Sequence, residues 1–243
     1  MKTLTVKSPN SYRISVPEWF MSNRGNRGIT FERLQQNGCI EEIDIYKQMR
    51  EFMQKFTKDS IFLDIGAQMG LSALSIASEG YDVIAVEPVS SNITILSENI
   101  KLNNFDKVRI AKIAAFNENK DITIYVPHEE DCASLSSSAA NIPGANNIQS
   151  ETVKGMRIYD WLIENHVDTD KIRFVKIDVQ GAEEMVIDGM EELLDKSNIH
   201  ILMEWDVRMM NSMGTNQDIF YKKLTDKGFT TVQWGHNDIL FSK

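Results

Sequence analysis

The chain is short of cysteine. Its 243 residues include only Cys39 and Cys132, too few for a disulfide framework or a cysteine-based metal set. Both are expected to be free thiols, and the chain is expected in the reducing cytoplasm. Long apolar runs are also missing. Stretches such as Val83–Val86 and Ile201–Met203 fall far below the ~20 residues of a membrane helix. The opening "MKTLTVKSPNSYRISVPEWF" is too polar for the apolar core of a signal peptide. Excess positive charge is absent as well. A net charge of −9 disfavours a protein that tracks nucleic-acid phosphates and does not suit an anionic membrane surface. No internal repeat or domain boundary is evident. With 42% hydrophobic and 25% charged residues, the length suits one large domain with a substantial core.

What is present alternates. Residues 1–40 read as irregular and polar, a segment packing on or capping the site, with Arg24, Arg27 and Arg33 among glycines in a solvated loop or, alternatively, a flap that meets a substrate. Residues 41–243 read as a single domain. Ile45, Met49, Phe52 and Phe56 recur at helical spacing over roughly 44–57. From Ser60 onward strands and helices take turns: "IFLDIG" then "LSALSIASEG", "YDVIAVEP" then "NITILSENIKLN", "KVRIAKIAAF", "DITIYVP", and later "IRFVKIDV" and "NIHILMEWD" with helices following. That alternation predicts crossovers and a mostly parallel sheet with helices on both faces. The end, "FTTVQW", "GHND", "ILFSK", can only be an antiparallel hairpin, because a parallel return needs a dozen or more residues. Residues 128–150, rich in Ser, Ala and Asn without periodicity, read as an inserted loop of the kind that forms lids.

The first strand–turn–helix carries the strongest local signal. "FLDIGAQMGLS" puts Asp64 at a strand end, Gly66 and Ala67 in the turn and Gly70 at the helix start. Glycines there admit a ligand close to the backbone, and the helix start can receive an anion. Glu87, followed by Pro88, ends the next strand about 20 residues on, where an acid binds a ribose hydroxyl. Small residues at the third strand end, Ala114 and Ala115, would let an adenine ring lie against the backbone; tight strand–helix packing explains them equally well. The G-x-G-x-x-G pattern that a dinucleotide pyrophosphate requires is missing, since Ala67, Gln68 and Met69 follow Gly66. An acid before the turn suits a cationic ligand. S-adenosylmethionine, with its sulfonium, its ammonium and one carboxylate, is the expected cofactor, with S-adenosylhomocysteine as product.

"LDIGAQMGLSAL", "VIAVEP", "ENIKLNN", "FVKIDVQGAE" and "ILMEWD" stand in the order and spacing of the FkbM-type S-adenosylmethionine-dependent methyltransferases, which this chain resembles from about Glu41 onward. The resemblance implies a Rossmann-like class I methyltransferase fold, with seven strands and the last one reversed. It also implies methyl transfer to oxygen on a sugar or other small-molecule acceptor. Asp64, Gly66, Gly70 and Glu87 would then form the cofactor site, and Asp178 would face both cofactor and transfer site. The chain departs from the family at Gln68, where asparagine is usual, and at Gln180, where glutamate is usual.

In a parallel sheet the ligand crevice lies beyond the C-terminal strand ends. Asp178, Glu204 and His236 fall on that side and are the catalytic candidates; His200 starts its strand, at the far end. A divalent cation on Asp178, Glu204 and Asp206 would be chemically reasonable, but acids near strand ends do not call for one, and no metal is expected. Acceptor contacts are expected from the variable parts, including the 128–150 segment and the neighbourhoods of Trp205 and Trp234, although both tryptophans also suit packing. A homodimer is compatible with the sequence. Two competing readings are an NAD(P)-dependent oxidoreductase and a non-catalytic binding module on the same fold.

Overall fold

A computed structural model describes residues 1–17, 39–41, 43–127, 135 and 148–243. Arg24, Arg27 and Arg33, Cys132 and nearly all of the 128–147 stretch lie outside the described residues. The central sheet has seven strands: β4 (Ile61–Ile65), β5 (Asp82–Val86), β6 (Val108–Ala111), β10 (Ile172–Ile177), β11 (His200–Glu204), β12 (Thr230–Gln233) and β13 (Asp238–Ser242). Their spatial order is β12-β13-β11-β10-β4-β5-β6. All neighbouring pairs are parallel except those of β13, which runs antiparallel to both β11 and β12. The expected α/β sheet with a terminal hairpin is therefore present, and the class I strand reversal falls on β13.

Side-chain parity explains how two helical layers cover this sheet. Ile61, Leu63 and Ile65 of β4 and Val175 and Ile177 of β10 enter one core. There they meet α4 (Ile158–Glu164), α5 (Glu183–Asp188), α6 (Glu191–Leu194) and α8 (Gln217–Asp226). Phe62 and Phe174 point the other way, into a second core with α1 (Asp44–Met53) and α2 (Leu71–Ala77). With both faces covered, near-continuous apolar runs are what such strands require. A polar residue inside one of these strands is therefore exceptional. Asp64 and Lys176 share the parity of Phe62 and Phe174, and they lie directly opposite one another in the β4·β10 register.

Three local readings need correction. Residues 2–16 are not irregular: β1 (Lys2–Lys7) and β2 (Tyr12–Val16) form an antiparallel hairpin, with β3 (Cys39–Glu41) alongside β1. Leu4 and Val6, and Tyr12, Ile14 and Val16, alternate and bury one face against Met69, Leu71 and Leu74. The "KVRIAKIAAF" strand breaks into β6 and a short β7 (Ala114–Ala115), which leaves the main sheet to pair with β9 (Ile148–Met156). Finally, β9 itself, part of which fell inside the expected 128–150 loop, pairs antiparallel with β8 (Lys120–Pro127).

The N-terminal hairpin supports the first glycine turn from behind. Buried Asn99 of α3 (Ser90–Asn103) accepts the Ser15 amide at 2.7 Å and donates to the Met69 carbonyl at 3.0 Å. At the front of the same turn, Gly66 has φ +82°, and a Cβ placed there would stand 1.9 Å from the Asp178 carbonyl oxygen. Gly66→Ala is expected to cost at least about 2 kcal/mol, since it adds both a clash with backbone and a left-handed strain. Chemical denaturation checks this, and an unchanged midpoint would contradict the close approach.

Candidate active site

The C-terminal ends of β4, β5 and β10, together with the β6–β7 region, line a cleft that opens to solvent. Gly66, Ala67, Glu87, Pro88, Ala114, Ala115 and Asp178, all candidates from the sequence, line it. Across the sheet they form a row: Ala114 and Ala115 at one end, then Glu87 after β5, the Gly66–Ala67 turn after β4, and Asp178 after β10.

Glu87 is buried and held by three donors. Its Oε2 accepts from the Gln68 amide at 2.9 Å, and its Oε1 accepts from the Val89 amide at 3.0 Å and Asn92 Nδ2 at 3.2 Å. Burial pushes this carboxyl upward, against those donors. A carboxylate offers about four lone-pair positions, so acceptor capacity is left for a ligand hydroxyl. Gln68 reaches Glu87 because its backbone takes φ +51°. The turn therefore donates an amide to the acid while Gly66 admits a ligand beside it.

Asp64 occupies a different place from the one expected of a direct ligand contact. It is completely buried and does not line the cleft. Its Oδ2 accepts from the Ser72 hydroxyl, and its Oδ1 lies 3.6 Å from the Lys176 ammonium. Burial pushes its carboxyl up, opposed by Lys176 and Ser72. Lys176 and Ser72 thus stand between Asp64 and the cleft, both lining it. Gly70 does not line the cleft either. At φ +94°, a Cβ there would come within 2.5 Å of Leu96 Cδ1, so this glycine packs α2 against α3.

Asp178 is fixed on both sides. Oδ1 accepts from Gln180 Nε2 at 2.8 Å, and Oδ2 lies 3.4 Å from Lys176 Nζ. The same Gln180 amide donates to Glu204 Oε2 at 2.9 Å. Glu204 therefore joins the site through Gln180 and does not line the cleft. His236 lies in the exposed turn between β12 and β13, at the edge of the sheet, and does not line the cleft. Trp205 stacks on Phe220 at 5.3 Å, and Trp234 packs edge-on against Phe52 at 5.4 Å, so both serve packing. Among the described residues no group of three His, Cys, Asp or Glu side chains is arranged to hold a metal.

Beneath the Asp178–Gly181 turn sits Glu183. Its buried Oε1 accepts the amides of Val179 at 3.1 Å and Gly181 at 3.2 Å, while Oε2 is buried without a hydrogen-bond partner. Burial raises this carboxyl to about 7 despite the amides. Lys176, Tyr46, Ser72 and Asn92, none of them a candidate from the sequence, also line the cleft. The signal for Lys176 was present: an ionisable residue inside a strand covered on both faces.

Two outcomes are expected. Because native Glu183 keeps a proton that the unfolded chain releases near its ordinary 4.5, wild-type stability falls as pH rises from 5 to 8. Glu183→Gln keeps the acceptor and removes that slope, gaining up to about 3 kcal/mol relative to wild type at the upper end. Parallel urea titrations across the range check it; identical slopes would contradict the assignment. Gln180→Glu brings a third carboxylate between Asp178 and Glu204. It should destabilise by about 1–3 kcal/mol at pH 8 and by much less at pH 5, where protons can be shared. An equal cost at both pH values would show that charge is not the cause.

Comparison with known proteins places this geometry. The Methyltransferase FkbM domain matches residues 64–230, which span Asp64, Glu87, Asp178 and Glu204. Among solved structures, the methyltransferase FkbM from Methylobacillus flagellatus aligns with a TM-score of 0.52 at 14% identity, over 76% of this chain and 44% of that one. This chain therefore spans less than half the length of that protein. An O-methyltransferase from Bacillus cereus in complex with SAH aligns with a TM-score of 0.51 at 14% identity, over 82% of this chain and 81% of that one. At such identities the likeness shows the fold alone. None of the curated proteins matches. The domain match covers most of the chain and agrees with the strand order and the glycine turn: the protein belongs to the FkbM methyltransferase family.

Proposed function

We propose that this protein transfers a methyl group from S-adenosylmethionine to a hydroxyl of a small-molecule or glycan acceptor. One observation carries the reading: the row of Ala114–Ala115, Glu87, Gly66–Ala67 and Asp178 along the cleft. Its order and chemistry suit an adenine, a ribose and a cationic arm in turn. Ala114 and Ala115 give a low wall for a flat ring. Glu87 has acceptor capacity for a ribose hydroxyl. Gly66 allows backbone contact where any side chain would strike the Asp178 carbonyl.

When bound, the cofactor supplies an activated methyl carbon on a sulfonium. The protein's part is to hold the acceptor oxygen in line with that carbon, the chief source of acceleration in such a displacement. Asp178 suits this, since Lys176 and Gln180 fix both of its oxygens at the cleft. In this reading it orients the acceptor hydroxyl and takes its proton as the new C–O bond forms. Glu204 acts through Gln180, by holding the amide that holds Asp178. A dinucleotide suits the cleft less well, because Gln68 and buried Leu71 occupy the positions where a G-x-G-x-x-G turn starting at Gly66 needs glycines.

Asp178→Asn is expected to preserve folding, with the Gln180 hydrogen bond kept and Asp64 still facing Lys176, and to lower methyl transfer by about 100-fold or more. The check is S-adenosylhomocysteine release across an acceptor screen, run on wild type and variant with each acceptor found. Unchanged turnover would remove Asp178 from the chemistry, and calorimetry showing NADH binding without S-adenosylhomocysteine binding would overturn the methyltransferase reading itself.

A further inference from the structure

We propose that Lys176 is the residue that recognises the α-carboxylate of the cofactor's methionine arm, and so makes the cleft selective for the intact amino-acid end of its ligand. The inference rests on the cofactor reading above.

Among the described residues lining the cleft, Lys176 is the only cationic side chain. It is nearly buried, with 13% of its side chain exposed. Burial opposes its charge, but the facing carboxylates of Asp178 and Asp64 outweigh burial and hold the ammonium protonated well above its ordinary range. The charge is thus permanent and fixed in place. An ammonium has three N–H donors, and the two carboxylates occupy at most two of these directions. Beyond those two carboxylates the ammonium keeps donor capacity, and Lys176 and its neighbour Tyr46 both line the cleft.

Position selects the ligand group. Glu87 follows β5 and Lys176 lies near the end of β10, with β4 between them. Two strand spacings separate them, roughly 10 Å. A ligand with its ribose on Glu87 and its adenine toward Ala114–Ala115 extends its amino-acid arm across the Gly66 turn toward Lys176. That arm ends in one carboxylate and one ammonium. Asp178, which lines the cleft, suits a cationic group, and Lys176 gives the carboxylate a full positive charge. The seven-residue helix α2, to which the sequence reading gave this carboxylate, offers only partial charges. Net charge agrees as well. Asp64, Asp178 and Lys176 sum to −1 when ionised, and the cofactor, with its sulfonium, ammonium and carboxylate, sums to +1.

The test uses calorimetry with S-adenosylmethionine and with decarboxylated S-adenosylmethionine, which keeps the sulfonium and ammonium but lacks the carboxylate. Wild type is expected to prefer the intact cofactor by about 10- to 100-fold, the usual worth of a charge-assisted hydrogen bond. Lys176→Met is expected to lose that preference by weakening only the intact cofactor. If the stranded acids prevent folding, Asp64→Asn/Lys176→Met removes one of them and carries the same expectation. Equal weakening of both ligands, or a preference that survives the substitution, would overturn the proposal and reduce Lys176 to a structural counter-charge. Failure of wild type to bind either ligand would instead overturn the cofactor reading, so the two failures are distinct.

Discussion

The pairing of Lys176 with Asp64 across β4 and β10, continued to Asp178, is the interaction around which the crevice is arranged. Removing such ions from water costs several kcal/mol each, and only close partners offset it. The register that pairs Phe62 with Phe174 in the helical layer also sets lysine opposite aspartate two residues further along both strands. The charges therefore sit where the apolar core ends and the ligand cleft begins. Gly66 completes the arrangement by letting the turn after β4 pass against the backbone of Asp178.

From that point the site reads as two linked halves. On one side, the Gln68 amide and the start of α3 fix Glu87 for a neutral hydroxyl. On the other, Lys176 and Gln180 fix Asp178, and Gln180 extends the network to Glu204. Glu183 holds the connecting turn from below through two backbone amides. An amide at 180, where the family usually has an acid, bridges two carboxylates that would otherwise repel. The N-terminal hairpin reaches the same place from behind, through Asn99 and Met69. The turn is thus braced on both sides before any ligand arrives, the preorganisation that an in-line displacement needs.

Much of this was legible from residues alone. Strand–helix alternation gave the parallel sheet, the short "GHND" connection gave the antiparallel hairpin, and the spacing of Gly66 to Glu87 gave the end of the sheet where the cleft opens. The errors have physical causes. Asp64 looked like a ligand contact because it precedes the turn, but its parity with Phe62 turns it under α2, and only the β4·β10 register reveals Lys176 in front of it. The strand β9 carries too few apolar residues to announce itself and is defined by pairing with β8. The alternation of Leu4, Val6, Tyr12, Ile14 and Val16 was present but lay among polar residues, so the hairpin read as irregular. His236 was placed on the correct end of the sheet, yet strand order puts its turn at the edge, two strands removed from β10.

The central claim is that this cleft holds the methyl donor with its ribose on Glu87 and its amino-acid arm at Lys176 and Asp178. A crystal structure of the full chain with S-adenosylhomocysteine tests it most directly. The account predicts a ribose hydroxyl within hydrogen-bond distance of Glu87, the adenine against Ala114–Ala115, and the ligand carboxylate on Lys176. A ligand seated away from Glu87, or reversed so that adenine lies on β10, would contradict it.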